Sequence, residues 1–500
     1  MSGSREELLL GIDIGTSSTK AVLAHPDGAI VATCTAEHGV SRPWPGWAEH
    51  DAEAIWWADI LQVCAGLGDR LQAVKAVCVS GIGPCLLPAD AAGEPLRPAI
   101  LYGIDTRASA EIDELNERFG ADAILGRGGS ALSSQAVGPK LLWLQRNEPE
   151  VWARTERVLM ASSYAVGRLT GAYVLDHHSA SQCDPLYDMA ANAWAADWAE
   201  EVAPGLALPE LVWSQEVVGT VTPAAAAATG IPAGTPVAAG TIDAWAEAHS
   251  VGVQRPGDLM LMYGTTIFLV AVVAEPRSEK RLWRTAGCLP GSVTTAAGLA
   301  TSGALTAWLR EIAGGIPYEQ LLAEAAATAK GADGLLALPY FAGERTPIYD
   351  PDARGVIAGL TTAHGRGHLY RALLEATAYA VRHTLEVFEA AGAAPERVVA
   401  VGGGTGAELW PQIVSDVTGL PQHVPAVTVG AAYGDALLAA QAIGLASFET
   451  VWTETARTLE PEHDPVYDEL YAGYRALHEA TASLQHQLAA LARRKAPSLA

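Results

Sequence analysis

A single acidic residue, Asp13, lies in the apolar segment LLLGIDI, which leads into the turn GTSST and then Lys20. A carboxylate at the end of a buried strand is costly unless a cation or hydrogen-bond donors meet it. The glycine and hydroxyl groups of the turn could hold phosphate oxygens, and Asp13 could hold a magnesium ion, often through water. The plainer alternative is a β-hairpin with a Gly-Thr turn and no ligand.

Residues 257–273, GDLMLMYGTTIFLVAVV, repeat this plan around Gly264, Thr265 and Thr266. A third turn, Gly402-Gly403-Gly404, follows the segment VVAV. Three adjacent glycines let the backbone approach a ligand closely, although turn chemistry alone would also explain them. The spacing is neither that of a dinucleotide-binding loop nor that of a P-loop. Together, the three turns predict a phosphate site built from duplicated halves.

Asp243 is the second acidic residue with a catalytic interpretation. It follows the apolar segment PVAAG and the pair Thr241-Ile242, and it opens a predicted helix. On the residues alone, a helix N-cap is the favoured interpretation, because Asp at that position contributes about 1 kcal/mol. The alternative is a general base, which a carboxylate can supply at neutral pH because it stays ionised there.

Alternating strands and helices must position these residues. Leu8 to Ile14 should be a strand, with its even-numbered residues on one face and Asp13 on the other. Residues 74–80 predict a strand that ends in the loop 81–84, the kind of position where ligands collect in open α/β sheets. The patterns also predict a helix over 366–391 and a helix over 464–494. The segment 176–197 is interpreted as a polar loop, and 233–240 as hinge positions.

Length and composition limit the classes to which the protein can belong. Five hundred residues predict at least two domains. The formal net charge of −24 argues against a nucleic-acid partner or an anionic membrane surface. Six scattered cysteines predict buried free thiols and a reducing compartment. The first residues are polar and no apolar run is long enough to span a membrane, so a cytoplasmic protein is expected. The sequence leaves open whether a homodimer forms.

At the level of ordered motifs, the chain resembles the FGGY family of carbohydrate kinases, within the actin-like ATPase superfamily. GIDIGTSSTKAV and LMYGTTIF look like its two phosphate motifs, VAVGGGTGAELWPQI looks like its adenosine motif, and residues 342–379 resemble its second signature. The resemblance implies an α/β fold of two actin-like (ribonuclease H-like) domains with an interdomain catalytic cleft. It divides the chain into a sugar-binding domain (1–245), a nucleotide-binding domain (246–445) and a helical tail (446–500).

The resemblance also implies an activity. This is ATP-dependent transfer of the γ-phosphate, with Mg²⁺, to a hydroxyl of a small sugar, with a xylulokinase-like pentulose kinase favoured. Asp243 matches the family's general base, which reverses the N-cap interpretation, and Asp13 is the metal candidate. Glu408 stands where the family often has Asn or Ser. The positions that match the ATP-binding motifs are Thr16, Ser17, Lys20, Gly264, Thr265, Thr266, Gly303, Gly403, Gly404 and Glu408.

The sugar site departs from the family patterns. Gly83 and Pro84 stand where xylulokinases have Met-His and glycerol kinases have Arg-Glu, and Ala244 is closer to ribulokinase-like members. Asp105 either contacts sugar or pairs with Arg107 in a structural clasp. A kinase for ribulose or for another ketose or polyol is therefore the alternative, followed by an actin/Hsp70-type ATPase. The substrate-binding candidates are Gly83, Pro84, Tyr102, Asp105 and Asp243.

Overall fold

A computed structural model describes residues 7–275 and 277–495, which form two compact α/β units. The first unit combines the chain up to Gln254 with Ser278–Thr294 and Val429–Thr453. The second combines Arg255–Arg277, Thr295–Thr428 and the chain from Glu454 onward. Each unit therefore gathers distant segments, and the contiguous division at residues 245 and 445 stays a prediction.

The first unit is built on a six-stranded sheet. Its strands, in spatial order, are Ile30–Glu37, Ser18–Ala24, Leu8–Ile14, Val74–Gly81, Pro236–Ala238 and Val217–Thr220. The first three strands of this order are antiparallel, whereas the fourth runs parallel to the third and the fifth runs parallel to the fourth. The hairpin with the GTSST turn therefore lies in the middle of the sheet, beside the strand predicted over 74–80.

Six strands of the second unit's sheet repeat the same spatial order. They are Val293–Leu299, Ile267–Val273, Asp258–Tyr263, Arg397–Val401, Gln422–Pro425 and Thr455–Leu459. The hairpin with the GTT turn is again antiparallel, and its first strand again pairs in parallel with the strand beside it, Arg397–Val401. The structure thus confirms the duplication that the two Gly-Thr hairpins predicted.

Helices and short strand pairs complete each unit. The helices of the first unit are Ala58–Leu67, Ser109–Phe119, Ala121–Gly128, Val137–Asn147, Pro149–Trp152, Ala161–Thr170, His177–Ala180, Ala196–Val202, Pro223–Thr229, Asp243–Ser250 and Ala431–Ala442. Those of the second are Gly303–Ile312, Tyr318–Ala326, Arg366–Ala390, Leu409–Thr418 and Pro465–Lys495. The short pairs are Glu49–His50 with Ala99–Ile100, Leu87–Ala89 with Arg157–Leu159, Val174–Asp176 with Glu210–Val212, Tyr187–Asp188 with Ala193–Trp194, and Leu336–Leu338 with Val356–Ala358.

The strand Leu8–Ile14 is buried on both faces. Its even-numbered residues pack into the apolar core of the first unit, as predicted. The opposite face, which carries Asp13, is covered by the helix Ala431–Ala442, so closely that a Cβ on Gly11 would lie 1.9 Å from the Ala432 carbonyl oxygen. Asp13 is therefore held against a helix that comes from the far end of the chain.

One of the sequence interpretations is wrong. The segment 176–197 is not a polar loop, because it contains the helix His177–Ala180 and a short strand pair, and most of its polar side chains are buried. The segment 233–240 contains the strand Pro236–Ala238 of the first sheet, and its role as a hinge stays a prediction. The two long predicted helices are present as Arg366–Ala390 and Pro465–Lys495.

The remaining bulk predictions concern membranes and thiols. Within residues 7–275 and 277–495, none of the helices combines the length and the apolar character that crossing a bilayer demands. All six cysteines are free thiols, and five of them are buried while Cys34 is half-buried. The prediction of free thiols is therefore confirmed.

Candidate active site

Asp13 lies on the first hairpin, opposite Lys20 and beside Ser80 on the neighbouring strand. It is 8% exposed, and its Oδ1 atom has no hydrogen-bond partner among the described residues. Burial raises its pKa well above the usual value, nearby carboxylates add to the rise, and Lys20 opposes it. Because a buried carboxylate oxygen without a partner is costly and oxygen is the ligand that Mg²⁺ prefers, Asp13 fits a cation site.

Asp435 is another acidic neighbour of this position, whose charge raises the pKa of Asp13, and the sequence analysis missed it. It lies in the helix Ala431–Ala442, where its Oδ2 accepts hydrogen bonds from Ser80 Oγ at 2.6 Å and from Ser80 N at 3.2 Å. Burial raises its pKa well above the usual value, and the Ser80 donors lower it. A lone acid in the apolar sequence AAYGDALLAAQA is the signal that could have revealed it.

Asp243 is the first residue of the helix Asp243–Ser250. Ile242 takes the N-cap position, and Asp243 Oδ1 accepts from the adjacent Ala244 N at 2.7 Å, so the N-cap interpretation is wrong. Burial raises the pKa of Asp243 to about 6, and the Ala244 N–H lowers it. One turn later, burial and the Asp243 charge raise the pKa of Glu247 to about 7.

Four carboxylates therefore share one region of the first unit: Asp13, Asp243, Glu247 and Asp435. The charge of Asp243 raises the pKa of each of the other three. No group of three or more His, Cys, Asp or Glu side chains in the described parts of the chain has the geometry of a ready metal site. Mg²⁺ does not need such a group, because it usually takes one or two carboxylates and completes its shell with water and substrate phosphates.

The cluster predicts a pH-dependent stability effect for Asp435→Asn in the magnesium-free protein. Asp435 has a higher pKa folded than unfolded, so its ionisation destabilises the fold as the pH rises. Asn keeps an oxygen for Ser80 but carries no charge. The variant should therefore unfold at a higher temperature than the parent at pH 8, where the parent carries the buried charge or must bind a proton to avoid it.

Thermal unfolding of both proteins from pH 8 to pH 4 measures this difference. The gain should shrink as the pH falls toward about 4, the ordinary pKa of an aspartate in the unfolded chain, because below that value the carboxyl is protonated in both states. A variant that is less stable than the parent at pH 8, or a gain that does not change with pH, would contradict the electrostatic argument.

The first hairpin turn carries hydroxyl groups, and its backbone is contacted by His38. Thr16 is half-buried, with its Oγ1 3.1 Å from Tyr102 Oη, while Ser17 and Lys20 are exposed. His38 Nε2 lies 3.1 Å from the Gly15 carbonyl oxygen, and His38 Nδ1 lies 2.6 Å from an Asp59 carboxylate oxygen. The sequence analysis missed this support, because His38 and Asp59 meet the turn only through the fold.

The loop 81–84 lies directly beside the residues that precede Asp243. Gly81 N donates to the Thr241 carbonyl at 3.1 Å. A Cβ on Gly83 would lie 2.7 Å from Ile242 Cγ1, and Pro84, the next residue, is buried. The sugar-site candidate Gly83 thus lies against Ile242, the residue before the candidate base, and Pro84 follows it in the same loop.

Asp105 is placed differently. It is 1% exposed, and its two oxygens accept from the Arg107 guanidinium at 2.7–3.1 Å and from Ala48 N at 2.7 Å. Arg107 in turn stacks over the Trp47 ring at 3.8 Å. This geometry favours the structural clasp over direct contact with a sugar.

The second hairpin belongs to the second unit and is joined to the helix Gly303–Ile312. Gly303 N donates to the Gly264 carbonyl at 3.1 Å, and Ala304 N donates to the Thr265 carbonyl at 3.0 Å. A Cβ on Gly303 would lie 2.4 Å from the Gly264 oxygen, so only glycine allows the helix to begin so close to the hairpin. The helix start and the hairpin turn thus form one surface.

That surface opens into a cavity of about 520 Å³, within the range of small-molecule sites. Thr266 and Glu408 are not among its lining residues, and Glu408 is exposed. The cavity is lined by Tyr263, Gly264, Thr265, Gly303, Ala304, Thr306, Ala307, Tyr318, Leu322, Tyr370, Leu374, Gly403, Gly404, Ala407 and Trp410. The structure therefore brings together Gly264, Thr265, Gly303, Gly403 and Gly404, which the sequence analysis assigned to one ligand.

Two α/β units of matching topology, one with clustered carboxylates and one with a glycine-lined cavity, define a phosphotransferase of the actin-like fold. Residues 8–249 match the N-terminal domain, and residues 259–443 the C-terminal domain, of the FGGY family of carbohydrate kinases. The chain belongs to this family. It is an ATP-dependent carbohydrate kinase, which confirms the predicted fold class and enzyme class and excludes the actin/Hsp70-type alternative.

Individual relatives agree over nearly the whole chain. The xylulose kinase of Escherichia coli K12 is 33% identical over 498 residues, which cover 96% of this chain and 99% of the relative. A glycerol kinase of Saccharopolyspora erythraea is 32% identical, covering 92% and 94%. The crystal structure of the xylulose kinase from Rhodospirillum rubrum superposes with a TM-score of 0.88 at 35% identity, covering 96% of this chain and 100% of that chain.

Proposed function

We propose that the protein phosphorylates a pentulose, with Asp243 as the general base. The observation that carries the proposal is the pairing of the loop 81–84 with the turn that ends at Asp243, because it places a candidate sugar loop beside an ionisable carboxylate. The xylulose kinases among the relatives support a pentulose as the acceptor. The glycerol kinases among them, together with Gly83, Pro84 and Ala244, keep ribulose or another ketose or polyol as the alternative.

Phosphoryl transfer needs an acceptor hydroxyl that loses its proton as the new O–P bond forms. The Asp243 carboxylate accepts that proton, and with a pKa of about 6 it is mostly ionised at neutral pH. The Asp243 side chain is half-buried, so a sugar hydroxyl can reach the carboxylate. The hydroxyl of Thr16 and the ammonium of Lys20, on the first hairpin, bind phosphate oxygens. The turn at Thr265, on the second hairpin, lines the cavity of the second unit and binds the nucleotide there.

Asp13 is the residue that would hold Mg²⁺, with Asp435 as an acidic neighbour that favours a cation there. When bound, Mg²⁺ would neutralise charge on the phosphates that are transferred. Gly403 and Gly404 bind the adenosine part of ATP in the cavity of the second unit. Homodimer formation and a cytoplasmic location stay predictions.

The proposal is tested by measuring ADP formation with a panel of acceptors. The acceptor with the highest kcat/KM should be one of four pentuloses: D-xylulose, L-xylulose, D-ribulose or L-ribulose. Its kcat/KM should exceed the values for glycerol and the hexuloses by at least about 100-fold, as expected where a site pairs with a substrate hydroxyl. Turnover of glycerol or a hexulose that matches the best pentulose would reject the pentulose assignment. ATP hydrolysis that no acceptor stimulates would reject the proposed reaction itself.

Asp13→Asn is predicted to raise the Mg²⁺ concentration required for half-maximal turnover by about 10-fold or more, because one carboxylate oxygen donor and its charge are lost. Turnover at saturating Mg²⁺ should recover in large part. Magnesium titrations of kcat for the parent and the variant measure the shift. An unchanged magnesium requirement with a lowered plateau would show that Asp13 does not hold the cation.

A further inference from the structure

Asp176 is a buried carboxylate for which the proposed mechanism has no use. It is 2% exposed and lies at the end of the strand Val174–Asp176. Its Oδ2 atom accepts hydrogen bonds from Thr241 Oγ1 at 2.8 Å, Ser179 N at 3.2 Å and Ser214 Oγ at 3.3 Å. One carboxylate oxygen therefore joins three separate segments of the first unit.

Thr241 links this carboxylate to the candidate base, which lies two residues later in the chain. Thr241 is fully buried, and its carbonyl accepts from Gly81 N at 3.1 Å. Its side chain and its main chain are therefore both fixed. The preceding residue, Gly240, donates its N–H to the Ser214 carbonyl at 2.9 Å, so the segments that Asp176 joins also bond to each other.

These bonds hold the backbone of residues 240 and 241, which leads to Asp243, the proposed base. A hydrogen bond from a hydroxyl to a carboxylate is stronger than one between neutral groups, and a buried one is not weakened by competing water. General-base catalysis requires the base within hydrogen-bond reach of the acceptor hydroxyl, and a displacement of about 1 Å can lower the rate by about 10²-fold. The turn 240–242 has no other link of this kind to a charged group among the described residues.

We propose that Asp176 is a positioning residue for the transfer reaction: through the Thr241 hydroxyl it fixes the turn that carries Asp243. The inference rests on the proposed role of Asp243 as base. Asp176 itself touches neither sugar nor nucleotide, and its effect is on the orientation of the Asp243 carboxylate.

The test uses four variants: Thr241→Val, Asp176→Ala, the double variant that carries both of these changes, and Asp176→Asn. Thr241→Val keeps the shape of the side chain and removes only the hydroxyl, and it should lower kcat by about 10- to 100-fold with KM for ATP within about 2-fold of the parent. Asp176→Ala should lower kcat by a similar factor, and the double variant should lower it no further, because both changes remove one shared bond. Asp176→Asn keeps an acceptor oxygen and should recover kcat to within about 5-fold of the parent.

Thr235→Val is the matched control. Thr235 is 6% exposed, and its hydroxyl donates to the Pro232 carbonyl at 2.8 Å within its own turn, away from Asp243. This variant should keep the parent kcat. If Thr241→Val lowers kcat no more than Thr235→Val does, or if it lowers kcat and raises KM for ATP together, the positioning role is overturned.

A variant that fails to fold and a failure of the base assignment can each be distinguished from a failure of the positioning role. If Asp176→Ala does not fold, the comparison of Thr241→Val with Thr235→Val decides the inference without it. If Asp243→Asn retains full turnover, the base assignment itself fails, whereas an inactive Asp243→Asn with a fully active Thr241→Val rejects only the positioning role.

Discussion

Asp243→Asn should lower kcat by about 10²- to 10⁴-fold while leaving the fold and ATP binding nearly intact, because an amide cannot take the proton of the acceptor hydroxyl. The change is nearly isosteric, and the Asn side-chain oxygen can still accept from Ala244 N. The cavity that is proposed to hold the nucleotide lies wholly in the second unit, so the substitution does not touch it. Steady-state kinetics with the best sugar, together with ATP titration by calorimetry, measure both parts.

Asp69→Asn provides a matched control for this substitution. Asp69 is an exposed acid of the same unit, so the same chemical change at that position should leave kcat within about 2-fold of the parent. Full turnover by Asp243→Asn with a sugar that the parent phosphorylates would reject the general base. A loss of ATP binding as large as the loss of kcat would show that the substitution disturbs more than proton transfer.

Gly240→Ala should destabilise the first unit by about 3 kcal/mol or more and abolish most of the activity. Gly240 has a φ of 72°, which is unfavourable for alanine, and a Cβ there would lie 1.8 Å from the Val79 carbonyl oxygen. The clash is with the backbone of a central strand, so the turn that leads to Asp243 must move. Thermal unfolding and kcat of the purified variant measure the two effects.

Gly234→Ala separates backbone strain from the clash. Gly234 has a similar φ of 85°, but a Cβ there would have no neighbour within 4 Å. Gly234→Ala should therefore lower the free energy of unfolding by only about 1–2 kcal/mol, because alanine is unfavourable in the left-handed conformation, and it should keep the parent kcat. If the two variants unfold at the same temperature and turn over equally fast, the close approach of Gly240 to Val79 is not what fixes the turn.

The sequence alone determined the local elements and the residues that lie within them. Glycines and hydroxyls between two apolar segments specify a hairpin through interactions of a few neighbouring residues, so both Gly-Thr turns and the duplicated plan are readable from the chain. The long helices Arg366–Ala390 and Pro465–Lys495 follow from periodic apolar residues for the same reason. Asp13 stands out because an acid in an apolar strand needs a partner.

Only the tertiary structure decided which distant groups meet these residues. Asp435 bonds to Ser80 because Ala431–Ala442 packs on the first sheet, although the two residues are far apart in sequence. The bond from Thr241 to Asp176 lets a carboxylate in a segment that looks like a polar loop be buried, because the hydroxyl that it accepts from lies far away in the sequence. Side-chain polarity is visible in a sequence, whereas the partner that allows a polar group to be buried is set by the packing of elements that lie far apart along the chain.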